Sequence, residues 1–208
     1  MSPEFRRLAV EAALTPAGVG PLILDAPESL RPLRQQVFER IRAAGALPRV
    51  QIAKDLGVSP ASVTGVAADL IDAGLIDEIA LPRAEGDAGR GRPPVALGVN
   101  PAARRVAGIK LSDREHTGVI VDFAGNRLAS AAEAVPPGLR EASDLIGMAD
   151  RLIERMCAES GIPRHRLDAL GLGVPGFVET GGRVVWSPVL RDRDFELAAA
   201  ASARLGLP

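Results

Sequence analysis

A chain of 208 residues, 47% hydrophobic and 25% charged, holds enough apolar material for one large core or two small ones, which excludes a disordered segment as its main content. Its 25 basic and 26 acidic residues leave a formal net charge of −1, so any nucleic-acid site must be a local patch and not a global field. One cysteine, Cys157, with His116 and His165, excludes an internal disulfide and offers no zinc-ligand spacing; no metal and no cofactor are expected. No uncharged apolar run approaches the ~20 residues of a membrane span. Arg6, Arg7 and Glu11 interrupt the start, where a signal peptide would need its apolar core. The expectation is a cytoplasmic protein with no membrane partner. Lys54 and Lys110 are the only lysines, so an arginine here is not functional merely for being arginine.

Residues 1–29 read as an N-terminal extension, with one short helical candidate from Phe5 to Leu14 and then the breakers Pro16, Gly18, Gly20 and Pro21. From Leu30 to Ala44, Leu33, Val37, Phe38 and Ile41 recur at helical spacing, with Gln35, Glu39 and Arg42 expected on the outer side. Arg49 to Ala73 carries the most specific pattern. Val50, Ile52, Ala53 and Leu56 suit one short helix, and Val63, Val66, Leu70 and Ile71 a second. Between them lies Gly57-Val58-Ser59. Gly57 suits a positive-φ turn, Ser59 suits an N-cap, and Pro60 fits the first helical position, where no intrahelical N–H partner is required. Small Ala53 permits close approach, and Val58 and Val63 point into the angle between the helices. This is the helix-turn-helix pattern, set against an ordinary αα-hairpin as the plainer reading. Its reading face would be Ser59, Ala61, Ser62 and Thr64 of the second helix, none of which reaches far enough for bidentate contacts of the Arg–guanine kind, with Gln51 on the first helix.

Leu75 to Leu81 and Pro94 to Val99 read as two strands around a polar tip, completing a winged helix over residues 30–100. The tip contains Arg83 and the run Arg90-Gly91-Arg92-Pro93, similar to the AT-hook, in which extended Arg-Gly-Arg enters a narrow A·T minor groove. A flexible linker is the plainer alternative. Beyond Asn100 the pattern becomes a meander of Val106–Leu111, His116–Asp122 and Arg127–Ala134, the last two joined by Phe123-Ala124-Gly125-Asn126. A helix with Leu145, Ala149, Leu152, Ile153 and Met156 on one face ends near Gly161, carrying a Cys157 read as packed. A strand Leu167–Val174, a pair Phe177–Glu179 and Val184–Trp186, and an Ala-rich helix Phe195–Leu205 follow.

The winged helix, then G-I-K-L-S-D-R-E-H-T-G-V-I-V-D-F-A-G-N, then L-G-L-G-V-P-G-F-V-E together resemble the repressor branch of the ROK family (repressors, uncharacterised reading frames and sugar kinases), from about Leu30 to Pro208. The resemblance implies a mixed α+β and α/β chain, with residues 101–208 forming a partial actin/hexokinase-like (ribonuclease H-like) lobe and the chain stopping inside the first lobe. Family kinases carry D-x-G-G-T after the first strand, where glycine N–H groups cradle phosphate. The matching positions here are Lys110, Leu111, Ser112, Asp113 and Arg114, so both glycines and the acid are replaced, which argues against ATP. Gly171, Gly173, Pro175 and Gly176 match G-x-G-x-P-G, a wall of the family's sugar site, which makes Gly176 and Glu179 nominal ligand residues. Val189 stands where sugar-binding members usually carry Asn. The resemblance thus implies a DNA-binding regulator, a repressor of carbohydrate-related genes with double-stranded DNA and a sugar or sugar-phosphate effector as partners, dimeric or higher, and not an enzyme. The rivals are a ROK sugar kinase with an accessory N-terminal domain and a winged helix used for protein interaction.

Overall fold

The computed structural model describes residues 31–80 and 95–208, in two compact units, Met1–Ala103 and Arg104–Pro208. The helical candidate Phe5–Leu14 and the tip residues Arg83, Arg90 and Arg92 lie outside the described residues.

In the first unit, α1 (Leu33–Ala44), β1 (Ala46–Leu47), α2 (Arg49–Leu56), α3 (Pro60–Asp72), β2 (Ile76–Ala80) and β3 (Val95–Val99) follow in order. Pro32 sets the start of α1, its carbonyl accepting from the N–H groups of Gln35 and Gln36. Val37, Phe38 and Ile41 of α1, Ile52 and Ala53 of α2, and Val63, Ala67 and Leu70 of α3 are buried with Leu75, Ile76, Ala96 and Leu97. Two expectations fail here. Gln35 is 1% exposed instead of facing outward, because it lies one turn before Phe38 on the inner side of α1. Val50 is 74% exposed, since Ile52 and Ala53 define the inner face of α2 and Val50 falls outside that arc. α3 ends as Gly74 takes φ 68° and the Leu75 N–H donates back to Leu70 O at 3.0 Å. The antiparallel sheet has the order β1-β3-β2, with Ala46 opposite Gly98 and Ile76 opposite Val99.

The second unit is built on a mixed sheet of β4 (Arg105–Lys110), β5 (Glu115–Asp122), β6 (Arg127–Ala134) and β7 (Ala169–Gly173), in the order β6-β5-β4-β7. The first three form an antiparallel meander; β7 lies parallel to β4, as a crossover requires. That crossover is α4 (Ala142–Ser160), whose Leu145, Ala149, Leu152, Ile153 and Met156 share the core with Ile109, Leu111 and Ile120. Gly118 of β5 permits the close fit: a Cβ there would stand 2.7 Å from Met156 Cε. Cys157 is half-buried against this core, and burial pushes its thiol pKa up. A hairpin of β8 (Phe177–Val178) and β9 (Val184–Trp186) precedes α5 (Leu197–Leu205). α5 starts two residues later than its composition suggests, because Phe195 exchanges both backbone hydrogen bonds with Val184.

Candidate nucleic-acid interface

The angle between α2 and α3 is set by three residues. Gly57 takes φ 65°, and the Val58 N–H that follows donates to Ala53 O at 3.1 Å, closing α2. Ser59 is extended, and its Oγ accepts from the Ser62 N–H at 3.1 Å while Pro60 opens α3. Val63 is fully buried in the angle, with Val58 half-buried beside it. The first turn of α3 is therefore fixed by its cap and by buried Val63, while Pro60, Ala61 and Ser62 are exposed.

Ser59, Ala61, Ser62 and Thr64 are all exposed on that turn and the next. Their hydroxyls are not equivalent. Ser59 and Ser62 share a 2.8 Å hydrogen bond as part of the cap, and Thr64 Oγ1 donates to Pro60 O at 2.9 Å. Thr64 thus offers an acceptor and a methyl, not a donor. Gln51 is exposed on α2, where its Nε2 donates to Asp55 Oδ1 at 2.6 Å. Gly65 and Ala68 extend the same outer face of α3 and were not singled out from sequence. The signal was there: Gly65 stands four residues after Ala61 in mid-helix, where glycine costs about 1 kcal/mol against alanine. A Cβ at Gly65 would meet nothing within 4 Å, so internal packing gives no reason for the glycine. Arg40, Arg42 and Arg49 lie within 4.0 Å of Asp55, Glu39 and Glu78 respectively, which dampens the positive field of the described residues.

In the second unit, the Ser112 N–H donates to Nδ1 of His116 at 3.1 Å. With Nδ1 accepting, the ring proton sits on Nε2, 3.1 Å from Met148 Sδ. His116 is fully buried, and burial lowers its pKa despite the opposing pull of Glu133. The Ser112 backbone donor is thus committed to a histidine within the chain. The Lys110–Asp113 loop and the Gly173–Pro175 turn border one open cleft of about 390 Å³. Gly176, at φ 133°, fits closely against the next strand: a Cβ would lie 2.1 Å from Trp186 O. Glu179, on the same hairpin, is bound by Arg183 Nε at 3.1 Å and Nη2 at 2.5 Å. Neither borders the 390 Å³ cleft. Val189 is buried in the core.

No family model matches the sequence. A solved structure described as a ROK family transcriptional regulator, homolog of the E. coli MLC protein, superimposes with a TM-score of 0.63 over 87% of this chain and 44% of that one, at 22% identity. The fold is that of a ROK family regulator. The sequence is 25% identical over 151 residues to an uncharacterized protein y4fQ of Sinorhizobium fredii, covering 73% of this chain and 37% of that protein. It is 23% identical over 179 residues to the DNA-binding transcriptional repressor Mlc of Escherichia coli, covering 83% of this chain and 42% of Mlc. The chain therefore spans less than half the length of each of these proteins. In this chain, of mixed helix-and-sheet class, the helix-turn-helix unit comes first and the β4–β7 sheet follows. Among the described residues no helix is long and apolar enough to cross a membrane.

Proposed function

We propose that this chain is the DNA-binding part of a transcriptional repressor, organised as a winged helix over residues 30–100 and a sensing lobe over 101–208 derived from a sugar-kinase fold. The observation that carries this reading is the outer face of α3: a capped helix following a tight turn presents Ser62, Thr64, Gly65 and Ala68 side by side, small enough for a helix to sit deep in a major groove. Mlc, a DNA-binding transcriptional repressor, supports the direction of regulation. Small side chains read through methyls and single hydrogen bonds, so discrimination by α3 is modest. Arg90 and Arg92, between β2 and β3 in sequence, supply the remainder by entering an A·T minor groove, with Arg83 as a further DNA contact. Two copies reading half-sites ~34 Å apart make the working form at least a dimer. The effector is a sugar or sugar phosphate at the Gly176–Glu179 turn, and the protein works in the cytoplasm without catalysing phosphoryl transfer. His116 on the Ser112 N–H supports that last point.

The test is selection of duplexes from a randomised pool, followed by affinity against salt. A log–log salt slope of several units and one enriched motif are expected. Changing flanking A·T pairs to G·C should weaken binding, inosine·C should restore it, and Arg92→Ala should abolish the difference. Equal affinity for every duplex, including those from the unselected pool, refutes the reading. ATP turnover with Mg²⁺ and a hexose would refute the non-catalytic part.

A further inference from the structure

Where α4 passes the end of α5, three guanidinium groups line one open cleft of about 260 Å³: Arg140, Arg151 and Arg204, with Ser143, Asp144, Gly147 and Met148 completing the wall. The arginines are held in place mostly by backbone carbonyls. Arg140 Nη2 donates to Pro136 O, Arg204 Nη1 to Ser143 O at 3.0 Å and Arg151 Nη1 to Gly147 O at 3.4 Å. Only Arg151 has a carboxylate partner, Glu133 at 3.1 Å; among the described residues none lies within 4.0 Å of Arg140 or Arg204. Arg140 Nε is buried and has no hydrogen-bond partner. An N–H of a charged group in that condition calls for an acceptor. The backbone of Arg140 is held by bonds to Val189 and Arg191, and its guanidinium by the Pro136 carbonyl. Gly147 is the third independent sign: a Cβ there would stand 3.1 Å from Arg204 Nη2, so a mid-helix glycine leaves room for that arginine to lie across α4. The helix terminus is not the attraction, since Asp192 already accepts from the Ala142 N–H at 2.7 Å.

The geometry points to a binding site for a small phosphate monoester. Three cations against Asp144 and the Glu133 paired with Arg151 leave the cleft net positive, and guanidinium forks match the oxygens of a phosphate. The volume admits a phosphate with a few attached carbons.

The chain contains three methionines, one of which, Met148, lines this cleft, while Met156 is in the core. With methyl-labelled methionine in the full chain, inorganic phosphate and then glycerol phosphate are titrated at constant ionic strength. The Met148 resonance, assigned with Met148→Leu, should shift saturably while Met156 stays still. Arg204→Gln and Arg140→Gln should each weaken binding at least tenfold with the Met156 resonance unmoved, Asp144→Asn should tighten it, and exposed Arg166→Gln should bind as wild type. Arg204 is exposed, so its variant retains the fold whether or not the Arg140 one does. A non-saturating shift, an equal response to chloride, or wild-type affinity in Arg204→Gln overturns the site.

Discussion

Replacing Gly65 by alanine separates folding from DNA recognition, because the two should respond with opposite sign. Gly65 is in the interior of α3, its backbone is not in the left-handed region, and an added Cβ meets nothing within 4 Å. The helix therefore gains the propensity difference without strain, about 1 kcal/mol. For a unit of this size that raises the melting midpoint by about 4–8 °C. On the DNA side, the new methyl projects from the face shared by Ala61, Ser62, Thr64 and Ala68. If the helix backbone approaches the groove floor there, the methyl holds it off and lengthens the neighbouring contacts. A loss of one good contact corresponds to about 1.4 kcal/mol, tenfold in Kd. The assay is thermal unfolding by circular dichroism beside fluorescence anisotropy on a selected duplex. A protein that is more stable yet binds DNA as tightly as wild type would refute the close approach at Gly65. One that is not stabilised would refute the statement that the glycine has no packing role.

Three further outcomes are expected. Ser59→Ala removes the acceptor for the Ser62 N–H and should cost about 1 kcal/mol in urea unfolding, with Ser59→Asp recovering the cap but weakening DNA binding by charge. Gly176→Ala should destabilise the second unit by about 1–3 kcal/mol from backbone strain alone, with the clash against Trp186 O adding to it, read as a lower unfolding midpoint. His116 is kept neutral by burial, so the unfolded chain takes up a proton near 6.5 while the folded chain resists to lower pH. Its stabilising contribution is therefore complete above that value and lost as pH falls through the folded pKa, and His116→Gln should flatten that part of the stability–pH curve.

Most of the helices were legible because Val37, Phe38 and Ile41, or Leu145, Ala149, Leu152 and Met156, repeat at a spacing that only a helix can bury on one side. The turn was legible for a different reason: Gly57, Ser59 and Pro60 each do a backbone task that few other residues do as well. What escaped depended on helix phase, on strand partners far along the chain, or on single side-chain bonds. Gln35 is polar but sits on the inner arc, and Val50 is apolar but sits outside it, so residue type misled where helix phase decided. β1 is two residues long, too short for any periodicity, and exists because β3 offers Leu97 and Gly98 as partners. Phe195 looked helical beside the alanines and was claimed by Val184 instead. In the candidate interface, the four short polar and small residues at the start of α3 were visible as a cap and an outer face. Gly65 was passed over because a mid-helix glycine reads as a weakness until nothing is found packed against it. The acceptor role of His116 had no signal, although Ser112 stands only four residues before it in the β4–β5 turn, because a bond to a ring nitrogen leaves no mark on the residue pattern.

Trp186 is the only tryptophan and the chain has no tyrosine. Its indole lies at the β8–β9 hairpin, 6.0 Å from the ring of Phe177 and partly open to solvent. Intrinsic emission is thus a private signal of that hairpin, and the helix-turn-helix unit is dark. A melt followed by emission and one followed by backbone dichroism watch different parts of one molecule. Coincident midpoints would mean the two units unfold as a single cooperative system; separate midpoints would give each its own stability without a label or a cut in the chain.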